Sequence, residues 1–437
     1  MYKQKNLKIR FPELLRPDIE KLILFNPNLN ATIFYQFIEL IFVKSKKETE
    51  FTNLKIVYLR KHIADDITKY INLLIKAKII NCDNHYIKGV KSFGYRVNKK
   101  YFKTPELGIE VLEPKTTQFK KIISEITANR TNVSRLSDED KFRYKYFMSV
   151  ELDYIKCYKI INNLHFEGKT LEEINRIKII YAIHTENFRD KRKRYYKISK
   201  LNNRISTNLT NIPKVLRECL IGDSVELDAV NSQVFLLSSA IQKTKKEENL
   251  KEHYKIFGKE NIDKILKTNS DSLDKFHDIT KKGLFYEDLG QFLNISRDEC
   301  KKITFPIIYS KNTSAVQDEK TKKWKRIIPY QNEKEMFSKR HPDVYKIIKL
   351  LKNNKSVFKK SNKKNINLPI YLQIIEADLN AKLISRFLYE NNINSIAIHD
   401  SVIIDRKHEQ LALELIKKAY VMLNYDIPTF KSNYFAN

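Results

Sequence analysis

Apolar positions along the chain fall into runs with either a helical or a strand period. In ATIFYQFIELIFV, Ile33, Phe34, Phe37 and Ile41 recur at steps of three and four, the spacing of a helix packed along one side. Residues 51–98 read as helix, turn, helix and a strand pair: LKIVYLRKHIADDITKYINLLIKAKIIN, then HYIKGVKSFGYRVN, whose short strands flank Gly89 and Lys91. Residues 101–200 are largely helical, with apolar steps through YKYFMSVELDYIKCYKIINNL. Beyond residue 220 the period changes. SVELDAVNSQVFLL opens with Val225 and Leu227 in alternation, a buried strand, and passes into a helix after Asp228. NSIAIHDSVIID sets Ile396 and Ile398 before His399-Asp400, and Val402 and Ile404 after it, so it predicts a hairpin with an acid at its tight turn. The lysine-rich stretches KTKKEENLKEHYK and SKNTSAVQDEKTKKWKR read as exposed helix or loop.

Composition narrows the class. The 437 residues are 42% apolar and 31% charged, with only 8 Gly and 11 Pro, which excludes disorder, collagen-like repeats and disulfide scaffolds. The length allows roughly two to four domains. Four cysteines (Cys82, Cys157, Cys219, Cys300) are far apart in sequence, without CxxC pairs, so neither a zinc site nor a disulfide framework is indicated and a reducing, cytoplasmic setting is expected. No apolar stretch has the roughly 18 residues of a membrane span, and the first residues lack the apolar core of a signal peptide. Lys and Arg number 82 against 52 Asp and Glu, a net charge of +30. Such an excess suits a nucleic-acid partner; codon usage in an AT-rich genome is the alternative cause.

Two regions bear on that partner. The element order of residues 51–98 resembles a winged helix, in which one helix enters a groove of duplex DNA and the basic hairpin touches phosphates, or which serves as a protein-contact platform. The run NFRDKRKRYYKISK interleaves Tyr195 and Tyr196 with basic residues, a pattern that tracks a nucleic-acid backbone or lies on a solvated face.

Candidate chemistry comes from three segments. Asp228 and Asp400 sit at strand ends, and two strand-borne acids from distant segments meet on adjacent strands of one sheet, where paired carboxylates hold Mg²⁺. Two such ions, about 3.5 to 4 Å apart, serve phosphoryl transfer by activating the attacking oxygen and stabilising the leaving one. Between them, SRDECKKITFPIIYS spaces Arg297, Lys301, Phe305 and Tyr309 at four-residue steps, one face of a helix. Two cations followed by two aromatics can hold a triphosphate at one end and stack on a base at the other. Each signal alone is equally met by turn aspartates or an amphipathic helix.

Together, in order, these segments resemble the family A DNA polymerases, of the bacterial DNA polymerase I type, reduced to the polymerising core. The resemblance runs through RISTNLTNIP (204–213), Asp228 with Gln233, His277 in DKFHDIT twenty residues before Arg297, the stripe itself, Gln373 in LQIIEADL, and His399-Asp400. It implies an α+β, right-hand polymerase: a palm with an antiparallel sheet, helical fingers and thumb, preceded by a small winged-helix-like domain. The implied division is 1–100 winged-helix-like domain, 101–200 helical thumb-like region, 201–245 first part of the palm, 246–360 fingers and 361–437 second part of the palm. Residue by residue, Asp228 and Asp400 would ligate two Mg²⁺ with the carbonyl of Ala229. Arg297, Lys301 and His277 would neutralise the triphosphate, with Lys301 donating a proton to the departing pyrophosphate. Phe305 and Tyr309 would frame the nascent pair, with Gln233 beside it, and Arg204, Gln373 and His399 would touch the primer-template. The implied partners are a DNA primer-template and dNTPs, with no membrane.

The chain departs from the family in several places. Phe235 stands where the family carries a Glu that excludes the ribose 2′-hydroxyl; its ring would block the same space without the Glu's hydrogen bonds. Asp228 precedes Gln233 by two residues more than usual, and His-Asp-Ser replaces His-Asp-Glu, both as in phage-type single-subunit RNA polymerases. Pro306 and Ser310 replace glycines of the fingers helix, so its hinge is expected to differ. No segment has room for a proofreading exonuclease. The reading is a DNA polymerase of a phage, plasmid or other mobile element; the alternatives are an RNA polymerase or primase-like enzyme and a non-catalytic replication initiator.

Overall fold

A computed structural model of the chain describes residues 6–45, 51–86, 92–129, 132–246, 250–268, 270–317, 324–352 and 367–435. Gly89 and Lys91, at the tip of the expected strand pair, lie outside them. The protein mixes α and β, mostly helix with small antiparallel sheets.

The N-terminal half opens with β1 (Leu7–Pro12), α1 (Arg16–Phe25) and α2 (Ala31–Lys44). There follow β2 (Thr52–Asn53), α3 (Ile56–His62), α4 (Ile67–Lys76), β3 (Ile80–Cys82) and β4 (Gly94–Val97). The last three strands form an antiparallel sheet in the order β2-β4-β3. Helix α4 turns Ile67, Ile71 and Leu74 inward and leaves Thr68, Lys69 and Asn72 in solvent, the split its apolar spacing demands. Next, β5 (Leu107–Leu112) returns to pair with β1. Helices α5 (Thr117–Asn129), α6 (Asp138–Ser149), α7 (Tyr154–Asn162) and α8 (Leu171–Arg189) complete the half. The last three each start where a polar side chain caps free backbone N–H groups: Ser137, Asp153 and Thr170. The boundary expected between residues 100 and 101 falls inside one continuous apolar core, where Phe42 meets Phe102 edge-on at 6.1 Å and β5 closes on β1.

The middle of the basic run at 187–200, Arg192 to Arg194, turns inward and is taken up by the protein itself, whereas the run was read from sequence as a nucleic-acid track or a solvated face. Arg194 is fully buried and donates to the carbonyls of Phe188, Phe147, Met148 and Val150, with its guanidinium 4.1 Å from the centre of the Phe188 ring. Lys193 pairs with Glu39 at 2.9 Å and Arg192 with Asp190 at 2.8 Å. The final carbonyls of a helix lack intrahelical donors, and a guanidinium with five N–H groups satisfies several at once. These three residues therefore join the ends of α6 and α8 and the side of α2; Arg189, Lys191, Lys197 and Lys200 stay exposed.

The C-terminal half starts from a ribbon of β6 (Tyr196–Ile198) and β7 (Ile205–Thr207), then short α9 (Asn208–Asn211) and α10 (Lys214–Arg217). Strand β8 (Ser224–Ala229) leads into α11 (Ser232–Lys246), α12 (Lys251–Phe257), α13 (Lys259–Leu266), α14 (Ser270–Lys281), α15 (Phe285–Leu293) and α16 (Arg297–Tyr309). A hairpin of β9 (Ser314–Gln317) and β10 (Trp324–Ile327) precedes α17 (Gln331–Arg340) and α18 (Pro342–Lys352). The second lysine-rich stretch, expected as exposed helix or loop, thus carries strands. Helix α19 (Asn367–Ala377) continues through a π-helical segment, Asp378–Ile384, into α20 (Ser385–Glu390). The chain closes with β11 (Ser395–Ile398), β12 (Ser401–Asp405), α21 (Glu409–Met422) and β13 (Phe430–Phe435).

The central sheet has the order β11-β12-β8-β13, and its two faces belong to different cores. Val225, Leu227, Val402 and Ile404 face the C-terminal helices, whereas Ile396, Ile398, Ile403 and Phe435 face the N-terminal half. Strand alternation then puts Glu226 and Asp228 on the second face, near the end where β8 stops. The thiols of Cys157 and Cys219, distant in sequence, meet in the N-terminal core, and all four cysteines are free. No helix among the described residues is long and apolar enough to cross a membrane.

Candidate active site

The site is built on the sheet register. Asp228 lies opposite Ser401, Leu227 opposite Val402, and Ile398 opposite Ser401 across the hairpin. His399 and Asp400 therefore form a two-residue turn beside Asp228, and His399 takes the left-handed conformation at φ 54°. A non-glycine residue there is strained and persists only when its surroundings fix it. Burial first and the nearby Asp400 charge second raise the Asp228 carboxyl to about 6, with Lys214 at 3.7 Å opposing them. Asp400 is likewise raised by burial, with Glu226 adding to it and Arg204 and Lys214 opposing. Glu226 is 1% exposed and held by Arg217 at 2.9 Å and the Ser401 hydroxyl at 2.8 Å.

Helix α16 carries the stripe. A capping box of Ser296 and Glu299 starts it at Arg297, so the four-residue steps run from its first turn to its last. Phe305, 47% exposed, stacks on Tyr309 at 5.8 Å with the rings 22° apart. Arg297 and Lys301 stand over the ring of Tyr286 at 5.4 and 5.8 Å. Tyr286 is buried and senses the charges of both Arg297 and Asp400, which puts the cationic end of the stripe near the acids. Arg297 is also paired with Glu287 at 2.8 Å. Pro306 lies in the helix's last turns. Two buried lysines hold that end: Lys352 donates to the carbonyls of Ile307 and Ser310, and Lys334 to that of Lys311 at 2.7 Å. Burial lowers Lys352 to about 7, helped by the charge of Lys334.

Helix α19 closes the floor. Gln373 accepts from Asn202 at 2.7 Å, and one turn on, Glu376 accepts from Arg204 at 2.6 Å and from Gln233. Tyr309 donates to the other end of Gln233. The π-helical segment that follows has its carbonyls taken up elsewhere, Ala381 by Arg143 at 2.7 Å and Asn380 by the Ser385 hydroxyl at 2.7 Å. Its displaced turn brings the Asn380 amide to the His399 carbonyl at 3.2 Å, so it supports the strained turn that carries Asp400.

No protein-family model matches the chain, and no curated protein matches it. Among solved structures, the chain is similar to the polymerase domain of Pol1 from M. smegmatis, solved in complex with DNA primer-template and dNTP. The identity is 13%, the TM-score is 0.29, and the match covers 72% of this chain and 65% of that one. The chain thus spans just under two thirds of that domain's length.

Of the residues singled out from the sequence, the structure sets Asp228 and Ala229 of β8 beside the His399-Asp400 turn, joins Arg204, Gln233 and Tyr309 through Glu376, ties Gln373 to Asn202, and places Arg297 and Lys301 over Tyr286, with Phe305 stacked on Tyr309. Two stand apart. Phe235 has no exposed surface; its ring packs 6.0 Å from His277 and 6.0 Å from Tyr420 on the side of α11 away from Gln233. His277 is buried between the Ser238 hydroxyl at 3.0 Å and Asp426 at 2.8 Å. Here both are supports of α11. Burial and the charges of Arg204 and Arg217 lower His399 to about 4, a neutral imidazole.

Sequence reasoning missed Glu226, Tyr286, Glu376 and Asn380. The period of two that marks Val225 and Leu227 also puts Glu226 beside Asp228, so that acid was legible. Nothing local distinguishes Asn380. The donor set fits a hard divalent cation: the two half-buried carboxyls are both raised, Asp228 in part by the charge of Asp400, and a cation between them relieves that repulsion. Among the described residues no three His, Cys, Asp or Glu side chains cluster to chelate an ion. A Mg²⁺ held by two carboxylates completes its shell with water and substrate phosphate.

Proposed function

We propose that the chain is a template-directed nucleotidyltransferase, a DNA polymerase that extends a primer on a template with dNTPs. The observation that carries this reading is the meeting of Asp228 with the Asp400 turn across β8 and β12, together with helix α16, whose stripe runs from two cations over Tyr286 to two stacked aromatics. In this reading the central sheet is the palm, α16 belongs to the fingers, the helices of 101–200 are the thumb, and residues 1–100 recruit template. Asp228 and Asp400, with the Ala229 carbonyl, would hold two Mg²⁺, which when bound activate the attacking oxygen and stabilise the leaving one.

The chain's own groups bind and orient. Arg297 and Lys301 draw the triphosphate to the N-terminal turns of α16, where the helix dipole also favours an anion. Lys301 is the proton donor to the departing pyrophosphate. Phe305 and Tyr309 offer a stacked platform to the incoming base, and Arg204 and Gln373 face the primer end. His399, neutral, accepts or donates one hydrogen bond beside Asp400. One observation favours the second reading, ribonucleotide polymerisation: with Phe235 buried, α11 presents no side chain at that position to exclude a 2′-hydroxyl.

The test is Mg²⁺-dependent incorporation of labelled nucleotide into polymer on a primed template. Incorporation is expected; its absence with every template and nucleotide would favour the initiator reading.

A further inference from the structure

Glu376 is an acid in a helix otherwise apolar at that turn, and it is 1% exposed. One oxygen, Oε2, accepts from two donors on different elements: Arg204, at the start of β7, at 2.6 Å, and Gln233 of α11. Gln233 in turn accepts from Tyr309 at the aromatic end of α16. The loop before β7 is bonded to α19 a second time through Asn202 and Gln373 at 2.7 Å, so the two partners of Glu376 are anchored on one side and depend on it on the other. Burying an acid is costly unless it is paired and hydrogen-bonded, and the two donors that Glu376 holds meet that condition. Here these bonds form a continuous side-chain path from α16 to Arg204.

We propose that Glu376 is a positioning residue for nucleotide binding, setting where the Phe305–Tyr309 platform stands relative to Arg204. This rests on the polymerase reading and deepens it. The carboxylate touches none of the reacting groups. It fixes the Gln233 amide in one orientation, with nitrogen toward Glu376 and oxygen toward the Tyr309 hydroxyl. Without it the amide is free to turn, Tyr309 loses a defined acceptor, and the platform is no longer held at one height above the acids. The effect should appear in capture of the incoming nucleotide more than in the chemical step, because Asp228, Asp400 and Lys301 are untouched.

The experiment is steady-state single-nucleotide incorporation by the full chain, comparing wild type with Glu376→Gln, Glu376→Ala, Tyr309→Phe and the Glu376→Ala/Tyr309→Phe double variant. Loss of one charge-assisted bond predicts a KM for nucleotide raised about tenfold in Glu376→Ala, with kcat within about threefold of wild type. Glu376→Gln, which keeps the acceptor oxygen, should recover most of that loss. Adding Tyr309→Phe to Glu376→Ala should change KM by less than about twofold, because both changes break one path. An active wild type with unchanged KM in both Glu376 variants, or multiplicative effects in the double variant, would overturn the proposal and leave the polymerase reading standing. If Glu376→Ala unfolds, Gln233→Ala, Tyr309→Phe and their double variant carry the same test, because Gln233 is the middle link of the path: KM raised in each single variant and no further rise in the double. A silent wild type would remove the polymerase reading, and this inference with it.

Discussion

Asp228 stands directly across the sheet from Ser401, and that register decides where the preceding residue, Asp400, sets its carboxylate. The consequence is that burial and the Asp400 charge together disfavour the charged form of Asp228. Asp228, raised to about 6 from an ordinary carboxyl value, contributes most to stability while protonated, below about pH 4, and that contribution is lost as pH rises through about 6.

At pH 8 and without divalent ions, Asp228→Asn should therefore stabilise the fold, by about 1 to 2 kcal/mol once the opposing Lys214 contact is allowed for. The variant should also flatten the fall in stability between about pH 4 and 6. Adding Mg²⁺ should raise the Tm of wild type and leave the variant nearly unmoved. Thermal unfolding across pH, with and without Mg²⁺, checks all three; a wild type indifferent to Mg²⁺ would speak against a cation between the acids.

Asn380 reaches the same pair by another route. Its amide donates to the carbonyl of His399, the left-handed residue of the turn. Asn380→Ala should lower kcat about tenfold, as expected for a catalytic group displaced from its working position, and should shift the Mg²⁺ titration midpoint upward. The melting curve should change little by comparison. Unchanged turnover would show that the hairpin alone fixes the turn.

Arg194 yields the opposite prediction. Because it satisfies four carbonyls from full burial, Arg194→Ala should cost about 3 to 5 kcal/mol of stability. The exposed Lys197→Ala, three residues on, should cost under about 0.5 kcal/mol. Denaturant unfolding of the two variants separates a structural clamp from a surface track.

That contrast shows what sequence carries and what it does not. Alternation in Val225–Leu227 and Ile396–Ile398 marked β8 and β11, and the four-residue stripe marked α16 from Arg297 to Tyr309, because these signals are local and periodic. The inward turn of Arg192, Lys193 and Arg194 is not local. Their partners are carbonyls at the ends of α6 and α8 and a carboxylate on α2, and a string of charges reads the same whether it meets water or helix ends. Glu376 was hidden for a related reason, since its donors come from β7 and α11. Phe235 was read as lining the site from its two-residue offset to Gln233, but in a helix that offset is about 200° of rotation, and the ring enters the core.

Phe235 accordingly belongs to stability. Phe235→Leu should lower stability by about 1 kcal/mol or somewhat more through loss of ring contacts with His277 and Tyr420. The ratio of kcat/KM for dNTP over NTP should stay within about twofold of wild type. A tenfold fall in that ratio would restore the ring to the sugar site.

The central claim is that Asp228 and Asp400 run nucleotide addition under α16. Its most direct test is extension of a labelled DNA primer on a DNA template with Mg²⁺, dNTPs and NTPs in separate reactions, and Asp400→Ala and Lys301→Ala alongside. The account predicts extension with dNTPs by wild type, none detectable with Asp400→Ala, and a loss of about a hundredfold or more with Lys301→Ala. Extension by Asp400→Ala at the wild-type rate, or no extension by wild type in any reaction, would contradict it.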